Sequence, residues 1–199
     1  RELSPSQFLN ETYNEPVFVQ LNSPDLYAHP SLEAWDTKHF YHFHHEYKGQ
    51  FSGYCGKTDL LINGIYWTED LPRLFEVSDT QVPGFVPSVI ADISCDVEGS
   101  VPITYKATSI ADPVIGWSRT KLEPCEPYLA DSIDVMSVGN LPNELPKDAS
   151  EEFGEMLSLH IIPALFAAQS RLLEEATITR GGKLTAHFEY LSDFVQESD

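Results

Sequence analysis

Basic residues are scarce: 12 lysines and arginines stand against 31 aspartates and glutamates, a net charge of -19. Such an excess repels a phosphate backbone or an anionic lipid surface, so nucleic acid and anionic membrane are poor partners for the chain. Cysteine is scarce as well. Cys55, Cys95 and Cys125 form no CxxC pair, which argues against a zinc ribbon or a disulfide framework and makes a reducing, cytoplasmic setting the expectation. No apolar run has the length of a membrane span; the longest weakly polar one, LSLHIIPALFAAQ at residues 157–169, carries His160 and Pro163. No secretory leader opens the chain, no internal repeat is visible, and GxGxxG, P-loop, HExxH and GxSxG motifs are all missing.

What is present suffices for a globular core. The chain has 199 residues, 42% of them hydrophobic, which fits one large domain or two small ones. Ser4, Pro5 and Gln7 form a capping-box pattern with proline at the first helical position, so a short helix is expected there. PVFVQL (residues 16–21), DLLINGIYW (59–67), SVIADISCD (88–96) and IDVMSVGNLP (133–142) read as strands, and DLLINGIYW and SVIADISCD read as buried on both faces of a sheet. A long amphipathic helix is expected from Asp148, with Phe153, Met156, Leu157, Ile161, Leu165, Ala168 and Leu172 at helical spacing and a kink at Pro163. Gly181-Gly182 marks a turn between two short strands or a strand and a loop.

Three of the four apolar runs turn polar or small at their C-terminal ends, where open α/β sheets bind ligands. DISCD carries Asp92 and Asp96 at such an end; they either serve a site or cap turns, because carboxylates there need partners. GNLPNELP (139–146) is a rigid turn that either holds a ligand or redirects the chain. Gly64 in INGIYW marks close backbone approach to a neighbouring element or a planar ligand. Cys95 has no Cys-His arrangement around it and reads as a small buried hydrophobe. KHFYHFHHEYKG (38–49) gathers His39, His42, His44 and His45 ahead of Glu46, ligand types that zinc, iron or nickel accept. No cysteine or paired acid completes a ligand set at the usual spacing. The expectation is therefore no metal, and an exposed edge or crossover segment with aromatic packing on one face.

DLLINGIYW, VIADISCDVEGSVPI, TSIADPVIGW and VMSVGNLPNELPKDASEEFGEML, in that order, resemble the C-terminal half of the lysine-forming saccharopine dehydrogenases and lysine-ketoglutarate reductase domains, within the wider superfamily of alanine dehydrogenase and the transhydrogenase NAD-binding subunit. The resemblance runs from about residue 59 to 191. It implies an α/β fold with a Rossmann-like, doubly wound, mostly parallel sheet, of which residues 1–137 are the C-terminal part of a nucleotide-binding domain. Residues 138–199 then form an interdomain loop, a long helix and a tail belonging to a second α/β domain. By the same resemblance the chain is a fragment, inactive alone, whose glycine-rich phosphate turn and substrate lysine and histidine lie in a missing N-terminal half.

The implied activity is oxidation or reduction at the CH–NH bond of saccharopine with NAD or NADP, in lysine metabolism. The implied partners are a small amino-acid substrate (lysine, 2-oxoglutarate or saccharopine) and that N-terminal half, with homo-oligomerisation open. Asp96 maps onto a catalytic aspartate; Asn63, Gly64, Ile65, Tyr66, Asp92, Ile93, Asn140, Leu141 and Pro142 map onto cofactor contacts. Gly139 departs from the aspartate of many saccharopine-type members, although alanine dehydrogenases carry alanine there. The alternatives are an alanine dehydrogenase-like enzyme and a non-catalytic nucleotide-binding homologue.

Overall fold

The computed structural model describes residues 1–196 and divides into two compact units, one from Arg1 to Leu141 and one from Pro142 onward. In the first unit, Ser4 caps the opening helix Pro5–Asn10 as its sequence dictates: its Oγ accepts from the Gln7 amide over 3.3 Å, and Gln7 Oε1 accepts from the Ser4 amide over 3.1 Å. The far end of that helix is closed by Lys57, whose Nζ donates to the carbonyls of Leu9 (2.6 Å) and Glu11 (2.9 Å). Two small pairs follow. β1 (Glu2–Leu3) lies parallel to β2 (Phe18–Val19), and β3 (Tyr27–Ala28) antiparallel to β4 (Lys48–Gly49). The strand expected over residues 16–21 is thus only two residues long.

The histidine-rich stretch is helical, not an extended edge. Asp36 accepts from the amides of Lys38 and His39 (2.9 and 3.0 Å) and so starts a helix over Thr37–Phe43, continued by a 3₁₀ turn at His44–Glu46. The helix buries Phe40 against Tyr27, Trp35 and Tyr47, with ring centroids 5.4, 4.7 and 5.0 Å away. Aromatic packing on one face was expected; its helical spacing was not, because alternating His and aromatic residues also fit period two.

The principal sheet has five strands in the order β5 (Leu60–Asn63), β6 (Val89–Asp92), β9 (Ser132–Met136), β7 (Val114–Ser118), β8 (Glu123–Cys125). β5, β6 and β9 are parallel; β7 is antiparallel to β9, and β8 to β7, so four of the five strands run the same way. This is a mixed α/β architecture with a mostly parallel, Rossmann-like sheet. One face is packed, with Ile90, Ile133 and Val135 fully buried beneath Val101 and Ile103. The other face is open within the unit: Leu60, Ile62 and Val89 are 54%, 67% and 44% exposed. The expectation of burial on both faces therefore fails for β5 and β6, because the segments joining these strands cover only one side. The β7–β8 pair was not anticipated from sequence, since glycine at 116 and proline at 124 weaken the strand signal.

The second unit begins at Pro142. Its main helix starts at Pro146 rather than at an Asp148 capping box, runs to Met156, passes through a π turn at Leu157–Ile161, and ends at Phe166. Pro163 lacks the amide that would bond back one turn, so the helix is interrupted just ahead of it. Leu172 belongs to a separate helix, Arg171–Ala176. Gly181 and Gly182, at φ 58° and 77°, turn β10 (Thr179–Arg180) back on β11 (Lys183–Leu184). Among the described residues no helix is long and apolar enough to cross a membrane.

Candidate functional site

The three parallel strands end together. Asn63 and Asp92 pair in register at the ends of β5 and β6, and the pairing of Ala91 with Met136 places Ser137 next in the same row. All three side chains are buried, Asn63 at 2% exposure and Asp92 and Ser137 at 0%. Among the described residues Asp92 has no basic partner. Its Oδ1 accepts from Asn63 Nδ2 (2.8 Å) and Ser94 Oγ (2.7 Å), and its Oδ2 from Thr104 Oγ1 (2.6 Å). Asn63 Nδ2 also donates to Ser100 Oγ over 2.8 Å. With its amide nitrogen spent on Asp92 and Ser100, the Asn63 side chain is locked, and among the described residues its buried Oδ1 has no donor and the buried Ser137 Oγ no partner.

This row holds the loop that follows β6. Thr104 and Ser100 tie its far end to the strand ends, while the Glu98 amide donates to Thr104 O (2.8 Å) and the Gly99 amide to Asp96 O (3.0 Å). Within it Cys95 and Glu98 adopt left-handed backbone, φ 57° and 53°, two non-glycine residues in four. Such conformations persist only when surrounding contacts over-determine them, and here they do. Asp96, between the two, is exposed. Cys95 is half-buried rather than a core residue, its Sγ turned back to Asp92 O at 3.4 Å.

The loop after β5 leaves the same edge. Gly64 has open space where a Cβ would stand, Ile65 packs on the core, and Tyr66 is 85% exposed. Ile93, 40% exposed, begins the neighbouring loop. Past β9, Val138 is buried and Asn140 exposed, with Leu141 half-buried at the start of a short 3₁₀ turn; Pro142 belongs to the second unit. Of the residues singled out from sequence, the fold brings Asn63 into contact with Asp92 and sets Gly64, Ile65, Tyr66, Ile93 and Asp96 on loops from one sheet edge. Ser94, Ser100, Thr104 and Ser137 were missed. Ser94 and Ser100 lie inside the VIADISCDVEGS stretch, and their signal was a buried acid that needs nearby donors.

Ligand atoms of His29, His39 and Glu46 lie within 4.8 Å of one another. Yet His29 Nδ1 accepts from the amides of both Ser31 and Leu32, each at 3.1 Å. The ring proton therefore sits on Nε2, facing Glu46 Oε2 at 3.1 Å, and a cation at Nε2 would need the lone pair that this tautomer does not have. His29 and Glu46 form a hydrogen-bonded clasp between the 29–32 turn and the end of the histidine stretch, with the His39 ring packed edge-on to His29.

A Rossmann-like sheet carrying a polar cluster at its C-terminal edge defines the class. No protein-family model matches the chain. Over 84% of its length it is 30% identical to alpha-aminoadipic semialdehyde synthase of Arabidopsis thaliana, and over 67% it is 32% identical to the mitochondrial form of Mus musculus. Over 56% it is 29% identical to the NAD(+), L-lysine-forming saccharopine dehydrogenase of Schizosaccharomyces pombe. The chain is a homologue of the alpha-aminoadipic semialdehyde synthases and saccharopine dehydrogenases. It spans 15% and 17% of the length of the first two relatives and 28% of the third.

Proposed function

We propose that the chain serves a saccharopine dehydrogenase-like oxidoreductase of lysine metabolism, acting at the CH–NH bond of saccharopine with NAD or NADP. The observation that carries this is the similarity to alpha-aminoadipic semialdehyde synthase over 84% of the chain and to lysine-forming saccharopine dehydrogenase over 56%. The strand-end loops leave apolar surface open to a planar ligand, with Tyr66 and Ile93 exposed and the Ile93 amide bonded to Asn63 O over 2.7 Å. Bound there, the nicotinamide would supply the hydride acceptor or donor. Gly64, Ile65, Tyr66 and Ile93 would line its bed, with Asn140 and Leu141 as further contacts. Asn63 and Asp92 would act mainly from behind, by fixing the two loops.

Asp96 would face the reacting amine, offering a carboxylate to the cationic imine and a place for its proton. The phosphate-binding turn and the remaining substrate groups would come from a further portion of the same enzyme, so the 199-residue chain alone is expected to be inactive. The free thiols of Cys55, Cys95 and Cys125 accord with a reducing, cytoplasmic setting.

Asp96→Asn in the longer protein, assayed for saccharopine oxidation with NAD(+), is expected to lower kcat by roughly 10²–10⁴-fold. Unchanged turnover would remove Asp96 from the chemistry. Saccharopine turnover by the isolated chain would overturn the division of labour.

A further inference from the structure

Asp96 lies on a segment whose two ends meet on one carboxylate. Asp92 Oδ1 accepts from Ser94 Oγ over 2.7 Å and its Oδ2 from Thr104 Oγ1 over 2.6 Å. The near end has another anchor that does not involve Thr104, since the Ile93 amide donates to Asn63 O over 2.7 Å. The far end depends on Thr104, a fully buried residue. Its carbonyl accepts from the Glu98 amide over 2.8 Å, and the Glu98 carbonyl in turn accepts from Arg73 Nη2 over 2.9 Å. Both backbone groups of Glu98 are thus held, which is what sustains its left-handed φ of 53°.

Glu98 passes that constraint on to Asp96. The Gly99 amide donates to Asp96 O over 3.0 Å, and Gly99 lies so close to the Asp96 stem that a Cβ at 99 would stand 2.5 Å from Asp96 Cβ. The direction in which the exposed Asp96 side chain leaves the loop therefore follows residues 98 and 99, and these follow Thr104. A carboxylate that must meet a reacting amine is sensitive to such placement, because about an ångström of displacement can cost roughly 10²-fold in rate.

We propose that Thr104 is a positioning residue for the Asp96 carboxylate: its hydroxyl, bonded to Asp92, and its carbonyl, bonded to the Glu98 amide, together aim Asp96 at the substrate. The proposal rests on the reading of Asp96 as the group that faces the reacting amine. It separates two functions within one loop, since Ile93 on the dinucleotide side is anchored by Asn63 and Asp96 on the substrate side by Thr104.

The test is Thr104→Val and Thr104→Ser in the longer protein, assayed for saccharopine oxidation with NAD(+), together with amide hydrogen exchange in the 199-residue chain. Valine keeps the shape of threonine and loses the hydroxyl. Thr104→Val is expected to lower kcat by up to roughly 10²-fold while KM for NAD(+) stays as it was, because Ile93 keeps its bond to Asn63. Thr104→Ser restores the donor and should recover most of the loss. In the 199-residue chain the valine variant should speed exchange of the Glu98 and Gly99 amides and leave that of Ile93 in place. Arg73→Met frees the Glu98 carbonyl from the half-buried side and should speed exchange of Gly99, whose amide shares that peptide, so the clamp is tested even where Thr104→Val does not fold. An unchanged kcat in the valine variant, equal losses in the valine and serine variants, a matching rise in KM for NAD(+), or unchanged exchange at Glu98 and Gly99 would each overturn the proposal. Intact turnover in Asp96→Asn would instead bring down the reading of Asp96, and the exchange measurements would still decide whether Thr104 holds its segment.

Discussion

Asn63 and Asp92 face each other in register on adjacent parallel strands, and the amide of one donates to the carboxylate of the other over 2.8 Å in full burial. The pair joins two loops that sequence alone treats as separate. Asp92 collects donors from Asn63, Ser94 and Thr104 on three different segments, so the geometry of the whole strand-end edge passes through one carboxylate.

Asp92→Ala removes that acceptor and deprives the Thr104 and Ser94 hydroxyls of it, while the Asn63 amide keeps its bond to Ser100. The expected cost is on the order of 3–5 kcal/mol in urea denaturation, dominated by the desolvated donors left behind. Asp92→Asn keeps the shape and part of the acceptor capacity and should cost less. Equal losses for the two variants would mean that shape rather than hydrogen bonding sets the cost.

Gly99 has no room for a side chain: a Cβ there would come within 2.5 Å of Asp96 Cβ. Gly99→Ala should therefore displace the Asp96 segment and destabilise the chain by roughly 1–3 kcal/mol, the usual cost of overpacking. Amide chemical shifts of residues 93–99 should move well beyond those of β5. A silent substitution would show that the loop relaxes freely.

Burial pushes the Cys55 thiol up to about 11, with the nearby Asp79 charge adding to the effect. Between the unfolded value of 9.0 and the folded one the native state binds more protons, so stability is fully present below pH 9 and falls as pH rises through 11. Cys55→Ala should flatten that alkaline decline in denaturant midpoints measured from pH 8 to 11, relative to the parent. An identical slope in both proteins would assign the decline to other groups, of which Tyr27, raised by burial to about 12, is the first to try.

Asp131 shows the opposite sign. Hydrogen bonds from Ser118 Oγ (2.6 Å) and Thr120 Oγ1 (2.8 Å) hold its carboxyl below the ordinary value of 3.8. Its contribution is present above that value and is lost as pH falls through the lowered one. Asp131→Asn should be less stable than the parent at pH 6 and converge with it toward pH 2 in thermal melts. A gap that persists undiminished at low pH would count against ionisation as the source.

Lys57 closes the first helix by donating to the carbonyls of Phe8, Leu9 and Glu11. Lys57→Met retains the stem but no donor, and about 1–3 kcal/mol should be lost, as for hydrogen bonds to a charged group. Hydrogen exchange should speed up first in residues 7–11. Uniform change across the unit would argue for a global rather than local anchor.

Local chemistry determined much of this protein from sequence alone. Ser4, Pro5 and Gln7 set a helix start, the glycines at 181 and 182 set a turn, and the apolar runs ending at Asn63, Asp92 and Met136 set three parallel strands with polar ends. The resemblance carried by those runs agrees with the relatives found by comparison. Only the tertiary structure decided which partners those ends would have. Besides Ser94, two residues on, Asp92 finds its donors 29 and 12 residues away, separations that no local pattern encodes. It decided too that Leu60 and Ile62 face outward while Ile90 faces in, since an all-apolar strand gives no period by which to choose a side. And it joined His29, which lies outside the histidine-rich stretch, to Glu46 within it, through a ring that only the folded turn brings to the amides of Ser31 and Leu32.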